Sequence, residues 1–270
     1  MMLKDLRKQL KTEFAELGIE ETDADFIIAE VLNVPRTELI FVKEIDGKTK
    51  RKILECAKLR KQHMPVDAIF GKTWFYGLPF TVNADVLTPR QDSELVVDVA
   101  LKEIKNNNYK TVLDLCTGSG CLAVAIKANA DVTVTATDVS QKALSVARQN
   151  AKDNNVKISF IRSNMFNDVE GQFDVIVSNP PYIDSEEMQT LDEEVLSYDP
   201  KLALDGGDFG LKFYNIIHEN VRKFLKDSGT LILEIGDDQK ELVLSLFNDF
   251  ECVEALKDYG GNDRVLVFRK

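Results

Sequence analysis

Leu3, Leu6, Leu10, Phe14 and Leu17 recur every three or four positions, the spacing of one apolar helix face. Thr22 followed by Asp25 has the form of a capping box, predicting a second helix through Phe26, Ile27, Val31 and Leu32. A third helix is expected from about Lys48 until Pro65 ends it. Its basic run of Lys48, Lys50, Arg51, Lys52, Lys58, Arg60 and Lys61 reads as a solvated face, with a partner-binding face as the sharper alternative. The period then changes. Trp74-Phe75-Tyr76 and Phe80-Thr81-Val82 flank Gly77-Leu78-Pro79, two β-type runs around a turn, which predicts a hairpin.

From about Gln91 apolar strand-like runs alternate with helical stretches. Strands are expected at Thr111 to Leu115, Val132 to Thr137, Lys157 to Ile161, Phe173 to Ser178 and Thr230 to Ile235. This alternation predicts a doubly wound parallel sheet. Glu251 to Ala255 and Val265 to Phe268 lie closer together, across Tyr259-Gly260-Gly261-Asn262-Asp263, and read as an antiparallel hairpin finishing the sheet. The expected fold is therefore α/β, a seven-stranded, mostly parallel, Rossmann-like sheet with a small N-terminal helical domain. The divisions are residues 1–72 (helical), 73–90 (hairpin linker) and 91–270 (α/β domain).

Composition narrows the function. Apolar residues make up 44% and charged residues 29% of the 270 positions, values ordinary for a water-soluble globular chain. No apolar run is long enough to span a bilayer, and the first residues lack a signal peptide's apolar core, so a cytoplasmic location and no membrane partner are expected. Cys56, Cys116, Cys121 and Cys252, with His63 and His218, show no ligand spacing, so no metal site is expected. The net charge of −11 divides into +1 over residues 1–72 and −12 over the remainder. Nucleic acid is bound chiefly by neutralising its phosphates, so an acidic catalytic domain argues against direct contact with it.

Two loops carry candidate chemistry. The first strand of the sheet runs into Asp114-Leu115-Cys116-Thr117-Gly118-Ser119-Gly120, and a helix follows. Glycines there let a ligand approach the backbone. Asp138 ends the second strand, 20 residues after Gly118, where a carboxylate can accept from both hydroxyls of a ribose. This pattern fits a dinucleotide or S-adenosylmethionine. Asp114 favours the second, because its charge would repel a pyrophosphate and suits an ammonium and a sulfonium. No hydride-transfer constellation accompanies the loop, since His218 falls in an expected helix.

The fourth strand runs into Asn179-Pro180-Pro181-Tyr182. Ligands of open α/β sheets bind beyond the carboxyl ends of the strands, so both loops are expected to face one cleft. Consecutive prolines fix φ and lack N–H donors, which holds the Pro180 carbonyl in one direction. With the Asn179 side-chain oxygen it forms two rigid acceptors, suited to holding both hydrogens of a planar NH2 group. Tyr182 offers a flat face for a planar amide or base.

Over essentially its full length the chain resembles the peptide-chain release-factor glutamine N5-methyltransferases (the HemK family). The resemblance is carried by the N-terminal helical domain, Phe75 to Phe80, Val86 to Glu94, Asp114 to Gly120, Ser178 to Ile183, Ala203 to Leu211, and Asp258-Tyr259-Gly260-Gly261-Asn262-Asp263-Arg264. It implies a class I S-adenosylmethionine-dependent methyltransferase, with S-adenosylhomocysteine as the spent cofactor. Implied cofactor contacts are Asp114, Cys116, Thr117, Gly118, Ser119, Gly120, Asp138, Met165 and Asn179. Asn179, Pro180, Pro181 and Tyr182 are implied to take the substrate glutamine of the Gly-Gly-Gln motif in class 1 release factors, with Asn179 and Pro180 catalytic. The helical domain becomes the substrate-recognition element. Asn-Pro-Pro-Tyr is shared with methyltransferases acting on amino groups of DNA and RNA, which leaves a nucleic-acid substrate as the alternative. Three positions depart from the family pattern. Cys116 replaces a glycine and is expected to need negative φ, Gln91 replaces a proline, and Met165 stands at an often aromatic position.

Overall fold

The computed structural model describes residues 2–270, except for the side chain of Glu193. Two compact units form. One comprises the residues up to Gly71 together with Asp192–Tyr198, and the other Lys72–Leu191 with Asp199–Lys270.

In the first unit, α1 (Leu3–Glu16) buries Leu3, Leu6, Leu10 and Phe14 on one face, while Leu17 lies past its end and is exposed. Helix α2 (Thr22–Leu32) turns Ala24, Ile27 and Ile28 inward and leaves Phe26 exposed. The expected capping box is absent. Thr22 is already helical and no side chain caps the helix, because Asp25 instead accepts from the Arg7 guanidinium at 2.7 Å and pairs with Lys11. Helix α3 (Gly47–Arg60) starts where Asp46 accepts from the Thr49 N–H. It stops earlier than Pro65, and α4 (Val66–Phe70) follows and ends at Gly71. The basic run is not uniformly solvated. Arg60 is buried and pairs with Asp23 at 2.7 Å and with Glu194 at 2.8 Å, and Lys61 pairs with Glu13. Glu194 belongs to α8 (Glu193–Tyr198), a short helix far along the chain that joins this unit. Nothing in its sequence marked it as part of the helical domain.

The second unit opens with the hairpin of β1 (Lys72–Phe75) and β2 (Leu78–Thr81). The turn is Tyr76-Gly77, not Gly77-Leu78-Pro79, since both turn residues have positive φ as a tight two-residue hairpin requires. Tyr76 tolerates this conformation while its N–H donates to Glu94 and its hydroxyl to Asp98, each at 2.6 Å.

Helix α5 (Glu94–Asn107) leads into β3 (Thr111–Leu115), α6 (Cys121–Asn129), β4 (Thr133–Asp138), α7 (Gln141–Asp153), β5 (Ser159–Arg162) and β6 (Phe173–Ser178). Then come α9 (Lys212–Phe224), β7 (Leu225–Glu234), α10 (Lys240–Leu246), β8 (Glu251–Lys257) and β9 (Asp263–Arg269). The seven strands lie in the order β5-β4-β3-β6-β7-β9-β8. Five are joined by parallel ladders, and β9 runs antiparallel to both β7 and β8, so that it alone opposes the other six. The expected doubly wound architecture is present, and each face of the sheet has its own apolar core. Val96, Ala100, Leu122 and Ala125 of α5 and α6 pack on one face, and Tyr214, Ile217, Val221 and Val243 of α9 and α10 on the other. The chain leaves β3 toward β4 on one side and returns to β6 on the other. The loops after β3 and β6 therefore flank a topological switch point, where such sheets hold their ligands. Among the described residues no helix is long and apolar enough to cross a membrane.

Candidate active site

At the switch point lies a cavity of about 290 Å3. Its wall includes Cys116, Thr117, Gly118 and Ser119 from the loop after β3, Asp138 at the end of β4, Met165 after β5, and Asn179 and Pro181 after β6. Val86 to Arg90, Ser93, Asn164, Leu202 and Phe213 complete much of the rest. The cavity thus brings together residues from four separate loops. Asp114, Gly120, Pro180 and Tyr182 are not in the wall, and each has a different structural setting.

Asp114 is fully buried beneath its loop. Its Oδ2 accepts from the Thr117 hydroxyl at 2.6 Å and from the Ala123 N–H at 3.2 Å, tying the loop to the first turn of α6. Its Oδ1 has no hydrogen-bond partner among the described residues. Burial pushes its carboxyl up to about 7, because desolvation disfavours the charge more than two hydrogen bonds favour it. Gly120, at φ +82°, is set by packing. A Cβ there would stand 3.0 Å from the Ala147 Cβ and 3.2 Å from its Cα, so only glycine lets α7 lie this close.

Cys116 corrects one expectation. Its φ is +59°, the left-handed value that the family's glycine would adopt freely and that other residues adopt at a cost. The side chain is held there by contact, with Sγ 3.6 Å from the Met165 Sδ. Met165 also has positive φ, and its carbonyl accepts from the buried Ser163 hydroxyl at 2.7 Å. Burial raises the Cys116 thiol far above its usual range, so it is not a nucleophile.

Asp138 is the polar centre of the wall. Its Oδ2 accepts from the Gly118 N–H at 2.9 Å and its Oδ1 from the Ser140 N–H at 2.8 Å, which fixes the carboxylate and leaves further lone pairs on both oxygens. A Cβ built on Gly118 would meet nothing within 4 Å, so the space over this backbone is open. An open glycine cradle beside a fixed carboxylate is a donor set that fits the ribose of S-adenosylmethionine. Asn150 was not singled out by the sequence. Buried in α7, it donates to the Ser119 carbonyl at 2.9 Å and to the Thr81 carbonyl at 3.0 Å, and accepts from the Thr81 N–H at 2.7 Å. One carboxamide thus joins the cofactor loop to the hairpin.

The Asn179 Nδ2 donates to the Ser93 hydroxyl at 3.2 Å, while Pro180 and Pro181 are buried. Tyr182 is placed otherwise than expected. Its ring is partly buried and packs against the apolar core on the α9 face of the sheet, and burial pushes its hydroxyl up to about 12, with Glu234 adding to the rise and Arg264 opposing it. The reason lies in its backbone, which is clamped on the other side. The Tyr182 carbonyl accepts from Gln239 at 2.8 Å, Ile183 pairs with Asp205, and Gly206 and Gly210 press on the chain so closely that a Cβ at either would overlap Tyr182 atoms. The Leu204 to Gly210 segment is therefore a brace for the Asn-Pro-Pro-Tyr loop. Arg264 closes the far end, bonded to Asp258 and to the Ile235 carbonyl. Arg90, in the cavity wall, pairs with Asp199 at 2.7 Å.

Residues 5–71 match the PrmC N-terminal domain and residues 93–209 the methyltransferase small domain. A release factor glutamine methyltransferase of Agrobacterium fabrum is 39% identical over 92% of this chain and 90% of its own. This chain belongs to the release factor glutamine methyltransferase family. A member from Clostridium botulinum is 36% identical over the whole length of both chains. Among solved structures, a methyltransferase from Pyrococcus furiosus superposes with a TM-score of 0.52 at 20% identity, over 83% of this chain and 98% of that one. At that identity the likeness speaks for the sheet architecture alone. The family's sequence landmarks acquire physical reasons here: Ala203 to Leu211 brace the Asn-Pro-Pro-Tyr loop, and Tyr259 to Arg264 bring Arg264 to the end of β7.

Proposed function

We propose that the chain transfers a methyl group from S-adenosylmethionine to the side-chain amide nitrogen of the glutamine in the Gly-Gly-Gln motif of class 1 release factors, acting in the cytoplasm. The observation that carries this reading is the shared cavity. Asn179, the first residue of a doubly proline-stiffened loop, lines the same space as the Gly118 cradle and Asp138, in a chain whose curated relatives bear that name. The cofactor supplies an electrophilic methyl group on a sulfonium.

Asp138 would hold the ribose hydroxyls, and Cys116 to Ser119 and Met165 the adjoining atoms. The Asn179 Oδ1 would accept one hydrogen from the substrate NH2, and the family resemblance assigns the other to the Pro180 carbonyl, although Pro180 itself lies outside the cavity wall. An amide nitrogen is a poor nucleophile because its lone pair is delocalised into the carbonyl. Two fixed acceptors aim that nitrogen and favour its pyramidal form, and they stabilise the positive charge that builds on it during transfer. The surplus proton then leaves to water, so no strong base is needed before attack. Tyr182, partly buried against the core and outside the cavity wall, would act chiefly by fixing the loop. Gly120 and Asp114 likewise shape the cofactor loop from outside the cavity wall. Residues 1–72, with their distinct charge, would recognise the release factor outside the active site.

The test is incubation of purified release factor with this protein and S-adenosylmethionine, followed by mass spectrometry of the Gly-Gly-Gln peptide. One added methyl on the glutamine is expected. Methyl transfer to nucleic acid and none to the peptide would overturn the reading.

A further inference from the structure

Glu234 is a buried acid for which the chemistry above has no task. It closes β7 one residue past the Ser178–Leu233 pair of the parallel β6–β7 ladder, which sets it level with Asn179. It is 2% exposed, and its Oε2 has no hydrogen-bond partner among the described residues. The Ser93 hydroxyl and the Asn179 carboxamide act on the carboxyl as hydrogen-bonding neighbours, and Arg264 and Asp92 act on it through their charges. Ser93, also buried, in turn accepts from the Asn179 Nδ2.

A carboxylate only accepts, a hydroxyl does both, and a carboxamide has one end of each kind. With Glu234 ionised, the Ser93 hydrogen turns toward the acid and its lone pair toward the Asn179 NH2 group. The Asn179 Oδ1 is then the end left for a ligand. The opposite rotamer would set a carbonyl oxygen against the carboxylate and present an NH2 group to the substrate NH2, donor against donor. We infer that Glu234 is a positioning residue that sets, through Ser93, which end of the Asn179 carboxamide meets the substrate. The inference rests on the proposed amide chemistry and adds an orienting device to it.

Protonation would release the device, because a neutral carboxyl can donate as well as accept. Burial pushes Glu234 up to about 7, opposed by Ser93, Arg264 and Asn179 and reinforced by Asp92. Tyr182 behind the amide loop, Tyr214 on α9 and Cys121 on α6 also feel its charge. The orienting form is therefore lost as pH falls through neutrality.

Glu234→Gln keeps the shape and removes the one-way acceptor, and Ser93→Ala removes the link. Both variants are expected to lower kcat for release-factor methylation by about ten-fold or more while S-adenosylhomocysteine affinity stays within about two-fold by calorimetry. In wild type, kcat/KM should fall on the acid side of neutrality, and Glu234→Gln should lose that limb. A second readout is independent of substrate: the side-chain NH2 resonances of Asn179, assigned by their loss in Asn179→Asp, should move with pH in wild type and stay fixed in Glu234→Gln. A Glu234→Gln enzyme with near wild-type kcat, or Asn179 resonances that ignore pH in wild type, overturns the inference. Wild type that leaves the release factor unmodified overturns the proposed function, and the resonances still settle whether Glu234 governs Asn179.

Discussion

Asp138 and Asn179 occupy one cavity wall but should fail in different ways. Asp138→Ala removes the acceptor for two loop N–H groups and for the ribose, and is expected to weaken S-adenosylmethionine binding by about 1–3 kcal/mol, measurable by calorimetry. Asn179→Ala leaves that cradle intact. Its cofactor affinity should hold while kcat/KM falls by about a hundred-fold, a split that steady-state kinetics can read. Asp114 yields a pH signature. Its carboxyl is raised from 3.8 to about 7 in the fold, so the folded state favours its protonated form more than the unfolded chain does. The stability this gives is full below pH 3.8 and is lost as pH rises through 7. The rise corresponds to about 4 kcal/mol at most. Compared with Asp114→Asn, wild type should therefore lose thermal stability between pH 4 and pH 8 (approximate limits set by those two values), and parallel melting curves would contradict the burial account. At this scale the sequence was readable where a residue's chemistry is local. Asp138 ends a strand and Asn179 precedes two prolines, and both patterns are visible in a few letters. Ser93, Asn150 and Glu234 act through partners distant in sequence, and nothing local distinguishes Glu234 from the end of any strand. The left-handed φ of Cys116 was not visible in its own letters, and the Met165 contact beside it comes from 49 residues away.

Elements were more legible than residues, since a parallel strand buried on both faces leaves an apolar run that needs no partner to be seen. The central strands lie where such runs stand, and the edge strands β5 and β8, with no fully buried residue, lie near their expected positions, all with ends shifted by a few residues. The hairpin turn was displaced because Gly and Pro are the usual turn markers, whereas Tyr76 accepts positive φ when Glu94 and Asp98 hold its polar groups. The brace on the Asn-Pro-Pro-Tyr loop was present as letters and opaque as mechanics. Its tightest point is Gly210, at φ +66°, where a Cβ would come 1.9 Å from the Tyr182 carbonyl oxygen. Backbone cannot yield as a side chain tip can. Gly210→Ala is expected to displace the loop, lowering kcat steeply and stability by about 1–3 kcal/mol, while S-adenosylhomocysteine affinity changes little. Retained kcat in that variant would show the brace to be dispensable.

The whole molecule carries a division of charge and of labour. One side chain as common as glutamine cannot identify a substrate, so selection requires contacts beyond the catalytic pocket, and residues 1–72 have no other assigned role. A chain beginning at Gly71 is expected to bind S-adenosylmethionine normally and to methylate intact release factor with KM raised by about ten-fold or more. A short Gly-Gly-Gln peptide should be a poor substrate for both lengths, by a similar margin. Circular dichroism must first establish that the shortened chain folds, because Asp192–Tyr198 belongs to the unit removed. That interleaving was invisible to a domain boundary drawn from local pattern, which assumes each unit is one uninterrupted stretch. It also bears on inheritance. The backbone passes between the units three times, after Gly71, after Leu191 and after Tyr198, and Arg60 finds its second carboxylate on the returning segment. The helical unit is thus no cassette. A hybrid gene that joins residues 1–71 of one relative to the remainder of another splits the Arg60–Glu194 pairing between two ancestries, and a working graft has to carry residues 192–198 along with the N-terminal stretch.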